Sequence, residues 1–209
     1  MPKKSFLSLL SFLIVGTVAN CQDLSLWSKD TLDLANTAAS APYLTLEEKK
    51  VIQLINLARL NGNAFLKRVA MPYVKENNKD DDDFVEGLYS DLRVTYGLHL
   101  LHPHEKLHQS SAHHAHDMGT KGQVGHDSSD GTPFTVRIHR FHKPVHVSEN
   151  CVYGYADAYS NVMEMLIDEA VPDRTHRHNI LGKSFHLVGV SIKPHKMIDF
   201  NCVVDFAAE

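Results

Sequence analysis

Two strand-like runs near the end of the sequence dictate most of what the chain can build. HLVGVSI (186–192) and MIDFNCVVDF (197–206) are rich in β-branched and aromatic residues and separated only by KPHK, which predicts an antiparallel hairpin. Alternation in the second run puts Ile198, Phe200, Cys202, Val204 and Phe206 on one face. The segments before the hairpin have helical period. Thr45 with Glu48 makes a capping box, and Val51, Leu54, Ile55 and Ala58 follow at helical spacing, so LTLEEKKVIQLINLARLNG reads as an amphipathic helix ended by Asn61-Gly62. A second helix is predicted from Pro103 to about Lys121, with Leu107, His114, Ala115 and Met118 inward and Gly119 and Gly122 closing it. A third runs from near Ala156 to Glu169 on the stripe Ala158, Val162, Met165 and Leu166. Helices followed by a hairpin predict an α+β domain, with helices packed on a mainly antiparallel sheet.

At the other end, Lys3 and Lys4 precede the apolar run FLSLLSFLIVG and then TVANCQ, the layout of a secretory signal. Ala19 and Cys21 suit a cut before Gln22, so residues 1–21 are expected to be a leader. VANC is also close to a bacterial lipobox, which makes a lipid anchor at Cys21 the alternative. The run is too short and serine-broken to span a bilayer by itself. The expected location is secreted or periplasmic, with an outer-membrane lipoprotein as the alternative. Residues 22–41, Ala/Ser-rich toward their end, read as a tether, and one domain is expected over 42–209. Cys151 and Cys202 then form an even pair in an exported protein, able to make one disulfide or to stand as two buried thiols. The run KDDDD at 79–83 reads as a solvated loop, because it lacks the interleaved glycine of a calcium loop. The net charge of −4 and the absence of a Lys/Arg cluster argue against a nucleic-acid partner. The 15 histidines make the surface basic below about pH 6.

HPHEKLHQSSAHHAHDM (102–118) contains the H-E-x-x-H pattern of a zinc peptidase in His104, Glu105 and His108, and His114 falls where an extended form has its third ligand. Three features weigh against it. Ser111 stands where the turn-forming glycine belongs, Pro103 puts the motif in the first turn of its helix, and seven histidines crowd residues 99 to 116, which makes a chance match common.

More specific are three phrases taken together: GHDSSDGTPFTVRI (125–138), SEN (148–150) and LIDEAVPDRTHRHNIL (166–181). In this order, after an ALAR-like helix and before a VGV strand, they resemble the CAP superfamily, the SCP domain of cysteine-rich secretory, antigen 5 and pathogenesis-related proteins, in its compact bacterial branch. The helix form L-x-x-x-A-x-x-H-A-x-D-M is matched by Leu107, Ser111, His114, Ala115, Asp117 and Met118. The resemblance covers about residues 44–207 and implies an α/β/α sandwich with a cleft lined by two histidines and two acids. Carried over by position, these are His126, Glu149 and His176 of H-R-x-N-I-L, with Asp168 as the second acid and Glu169 as its alternative. The resemblance also implies that His104 and His108 are incidental surface residues. Members of the superfamily have been linked to lipid or sterol binding, protein interaction and, in a few cases, proteolysis.

Two imidazoles and two carboxylates support three chemistries. They can bind a divalent metal, zinc above all. They can act as general acid and base, with Glu149 as the base of a metal-assisted hydrolase of peptide or cell-wall material. They can also form a hydrogen-bonded network around a cleft that binds by shape. No nucleophile-elbow pattern surrounds Ser128, Ser129 or Ser148, and Cys151 lacks any feature that would lower its pKa. The expectation is therefore a secreted or envelope-associated binding or scaffolding module with a metal-capable cleft, its ligand an envelope or extracellular lipid, peptide or glycan.

Overall fold

The computed structural model describes residues 24–79, 83–169, 171 and 173–209. The expected leader, Cys21 and most of the KDDDD run lie outside these residues. Helices α1 (Lys29–Ala35), α2 (Leu46–Leu60) and α3 (Gly62–Phe65) come first, and a π-helical stretch then leads into α4 (Met71–Glu76) and α5 (Asp83–Val94). Strand β1 (His102–Pro103) precedes α6 (Glu105–Lys121) and α7 (Phe134–His139). Strand β2 (His146–Tyr153), helices α8 (Ala158–Ile167) and α9 (Thr175–Leu181), and strands β3 (Leu187–Pro194) and β4 (Phe200–Ala208) complete the order.

The sheet order is β1-β3-β4-β2, with only the two-residue β1 pairing parallel. The predicted hairpin is β3–β4, and its outer neighbour β2 forms one edge. Val190, Cys202, Val204 and Phe206 face the large core that holds α2 and α8. Ala115, Cys151 and Val203 pack together on the opposite face, beneath α6. The result is a three-layer α/β/α sandwich, and both faces of β4 are buried.

Close packing of α6 on the sheet depends on glycine. A Cβ at Gly189 of β3 would lie 2.2 Å from the Leu107 carbonyl carbon, and one at Gly119 would lie 2.2 Å from the Pro194 oxygen. The capping box of α2 also reaches the sheet. Glu48 accepts from the Thr45 amide at 2.8 Å with one oxygen and from the Ile192 amide at 3.0 Å with the other.

Residues 24–41 differ from the expected tether. Trp27, Ala35, Ala38 and Ala41 are buried, and Asn56 of α2 donates to the Ala35 and Leu101 carbonyls at 3.1 and 3.0 Å. The small side chains that look like linker composition are what let this segment lie close against α2. The packed domain therefore takes in α1 as well as the residues from 42 onward. Among the described residues no helix is long and apolar enough to cross a membrane.

The two cysteines are free and buried. Cys151 pairs across the ladder with Val203, and Cys202 with Val152. Alternation therefore sends the thiols to opposite faces of the sheet, which rules out the disulfide geometrically.

Candidate functional site

The edge strand β2 organises the site. Its consecutive residues Glu149 and Asn150 point to opposite faces, so one strand supports two clusters at once.

On the α6 side the loop that carries His126 is anchored before and after that residue. Gly125 has φ +121°, a conformation that strains residues with a Cβ, and its N–H donates to the Tyr153 hydroxyl at 2.9 Å. Asp117 of α6 accepts from the Ser129 amide and hydroxyl at 2.7 and 2.6 Å. A turn at Asp130-Gly131 follows, closed by Gly131 N–H to Ser128 O. His126 Nδ1 then donates to Glu149 Oε1 at 2.9 Å. Arg137 of α7, fully buried, pairs with the other Glu149 oxygen and donates to the His126 carbonyl. His114 Nε2 donates to the Gly125 carbonyl at 2.9 Å and lies 3.9 Å from Glu149.

Burial of Glu149 favours its protonated form, but the His126 hydrogen bond and the charge of Arg137 outweigh it and hold the carboxyl below the usual range. Asp205, directly opposite Glu149 on β4, responds the other way. Burial and then the Glu149 charge push its carboxyl well above the usual range, which favours its neutral form. Burial, then Glu149 and Asp205, likewise push the Cys151 thiol up. It lies 3.7 Å from His126 Nδ1, yet it is no thiolate nucleophile. His114, Glu149 and Cys151 bring ligand atoms within 4.8 Å of one another. With His114 Nε2 already donating and Cys151 protonated, this trio is a buried hydrogen-bonding network rather than a metal cage.

On the opposite side Asn150 donates to the His176 carbonyl at 3.0 Å and accepts from Asn179 at 2.8 Å, which ties α9 to β2. His176 Nδ1 lies 2.9 Å from Asp168 Oδ1. Asp168 is the C-cap of α8 at φ 60°, and its other oxygen accepts the Arg177 amide at 3.1 Å. Asp is one of the few residues besides glycine that tolerate this backbone region, and its short side chain folds back at once. Glu169 points elsewhere: it is 60% exposed and sits 3.5 Å from Lys79. Arg177 clamps the end of α8 through the Leu166 and Ile167 carbonyls at 2.6 and 2.7 Å, a structural role.

Beside the His176–Asp168 cluster lies a cavity of about 420 Å³ whose walls include Cys151, Tyr153, Tyr155, Glu164, Asp168 and His176. Asp168 Oδ1 lies 2.9 Å from His176 Nδ1 without forming a hydrogen bond, whereas Glu149 accepts one from His126 Nδ1. This is the arrangement in which a carboxylate orients an imidazole and leaves Nε2, when the ring is neutral, with the lone pair. An imidazole held in this way has its Nε2 available to a divalent metal of the zinc class, with the carboxylate as its support.

Sequence reasoning named His126, Glu149, Asp168 and His176, and the structure joins them in two pairs. It missed Arg137, the cation on which Glu149 depends, and Asp205. The first had a signal: Arg137 is the charged residue within the otherwise apolar and small TPFTVRI. The H-E-x-x-H histidines take separate partners. His108 Nδ1 donates to the Val190 carbonyl at 2.7 Å and its ring packs on Tyr43, whereas His104 is the N-cap of α6 with its ring against His142. Neither is the incidental surface residue expected.

Residues 86–206 match the family model described as the Cysteine-rich secretory protein family, CAP. The match spans more than half of the chain, and the chain belongs to this family. Among solved structures, an extracellular protein containing a SCP domain from Bacillus anthracis str. Ames is 18% identical with TM-score 0.50, over 79% of this chain and 44% of that one. The present chain thus spans less than half the length of that protein, and the likeness is one of fold. An outer surface protein from Borrelia burgdorferi is 20% identical with TM-score 0.48, over 62% of this chain and 96% of that one. No curated protein matches the chain.

Proposed function

We propose that this CAP-family chain is a secreted or envelope-facing binding module whose cleft holds a divalent metal, zinc above all, between His126 and His176. The observation that carries this reading is the paired construction: two histidines, each with a carboxylate 2.9 Å from Nδ1, are supported from the two faces of β2, and His176 and Asp168 line a cavity there. The bound metal would supply a Lewis-acidic centre that recognises an anionic or carbonyl oxygen. Tyr153 and Tyr155 provide apolar wall, while Glu164 and Asp168 provide polar points, a lining suited to part of an extracellular peptide, glycan or lipid. A binding role is favoured over hydrolysis because the one buried thiol beside His126 is held protonated and Glu149 is already committed to Arg137 and His126.

Calorimetric zinc titration of metal-stripped protein tests the site. The expected result is that His126→Ala/His176→Ala removes one equivalent of tight binding; the same number of ions bound by that variant and by wild type would overturn the cleft assignment. Turnover of peptide, ester or peptidoglycan substrates that is abolished by His126→Ala would replace the binding role with a metal-assisted hydrolase.

A further inference from the structure

Away from the cleft, a second group of ligand atoms meets where three distant segments converge. His104 caps α6, His142 follows α7, and Glu209 follows β4, and one ligand atom from each lies within 4.8 Å of the other two. The two imidazole rings lie 4.3 Å apart, centre to centre. His104 Nδ1 and His142 Nε2 are buried and have no hydrogen-bond partner. Leaving two such nitrogens unpaired is costly, so an unsatisfied pair side by side calls for a shared partner. Direct bonding to Glu209 does not provide it, because His142 Nε2 is 3.6 Å from Glu209 Oε1. That spacing is close to the roughly 3.4 Å that separates two ligands on a tetrahedral zinc with bonds of about 2.1 Å.

We propose that His104, His142 and Glu209 form a second metal site of the zinc class, separate from the cleft, which clips these three segments together. The backbone already holds them in place. His104 N–H donates to Val188 O at 2.9 Å, His142 N–H to Ile138 O at 3.0 Å, and Val145 N–H to Ala208 O at 3.1 Å. Two imidazoles and one carboxylate select zinc or a similar first-row ion over calcium or magnesium, which prefer oxygen alone. Glu209 is 69% exposed, so the ion has an open route from solvent and its carboxylate is free to close on it. The first histidine of the H-E-x-x-H pattern is thus a ligand, but with partners distant in sequence rather than with His108.

The test is a zinc titration by calorimetry, with thermal melting in parallel, on the full chain carrying His126→Ala/His176→Ala so that the cleft contributes nothing. This protein is expected to bind one equivalent and to melt at a higher temperature with zinc. Adding His142→Ala should abolish both effects. Glu209→Gln, at an exposed position that does not threaten folding, should weaken binding at least as much as the roughly 10–100-fold seen when a ligand's supporting partner is lost. Absence of tight binding in the cleft-silenced protein, or binding unchanged by Glu209→Gln, overturns the proposal. Failure of the cleft reading would appear separately, as wild-type and cleft-silenced proteins binding the same number of ions.

Discussion

The two faces of strand β2 hold the same histidine–carboxylate pair by different means. Glu149 is fixed by charge: a buried guanidinium, a second imidazole and the Asp205 carboxyl, pushed toward its neutral form, surround it. Asp168 is fixed by backbone: a left-handed C-cap and an amide N–H place it, and its nearest buried arginine is turned toward carbonyls. The exposures differ in parallel, His126 being half exposed and His176 mostly covered. The charged half is therefore vulnerable to loss of a partner, whereas the backbone half is vulnerable to a change in side-chain length.

The charge-held half should fail hardest. Arg137→Met leaves Glu149 ionised in a dry site and removes the bond to the His126 carbonyl, and breaking a buried pair in this way costs about 3–5 kcal/mol. Urea unfolding would measure it; a loss under about 1 kcal/mol, the range of exposed pairs, would show that Glu149 is not held by this cation.

Next in size is the response of the two facing carboxylates to pH. Glu149 has its folded pKa below its ordinary 4.5, so its support is present above that value and is lost as pH falls through the lower folded value. Asp205 has its folded pKa above its ordinary 3.8, so it costs nothing below that pH and penalises the fold increasingly as pH rises above it. Asp205→Asn, which keeps the shape and removes the titration, should gain stability over the parent between pH 4 and pH 7, whereas Glu149→Gln should flatten the acid side. Melting temperatures at several pH values would decide; an Asp205→Asn difference that is constant with pH would show that Asp205 is ionised in the fold.

Legibility in the sequence follows the same division. The hairpin, the capping box and the inward stripe of α6 were readable because each depends on local period or on a three-residue spacing. Asp168 was readable by its distance from HRHNIL. Asp205 was not, and Arg137 stood out only as a lone charge in TPFTVRI, because their roles arise only when α7 and β4 close around β2. Asp205 also falls on the strand face that alternation assigns away from the core, and only α6 covering that face turns it into a buried position. Strand β2 itself escaped prediction because Glu149 and Asn150 interrupt its apolar pattern at the point where the site needs them.

On the backbone-held half, Asp168→Asn retains the left-handed tolerance and an oxygen for the Arg177 amide, so it should cost only about 1 kcal/mol. Its consequence belongs to the metal: if the carboxylate orients His176 without binding the ion, zinc affinity should fall by roughly 10–100-fold without vanishing. Complete loss would make Asp168 a direct ligand.

The smallest effect is expected one residue further on. Glu169 carries the same charge as Asp168 and also borders the cavity, yet its side chain is exposed and its partner Lys79 is already engaged at 3.0 Å by Glu164. An exposed pair of this kind contributes about 0–1 kcal/mol, so Glu169→Gln should leave the unfolding midpoint nearly unchanged. Zinc affinity should also be unaltered, since the neighbouring Asp168 supplies the contact to His176. The pair of substitutions isolates position from charge. Equal losses of zinc affinity in Asp168→Asn and Glu169→Gln would mean that only the negative field of the cavity matters, and that the left-handed cap is not what selects the acid.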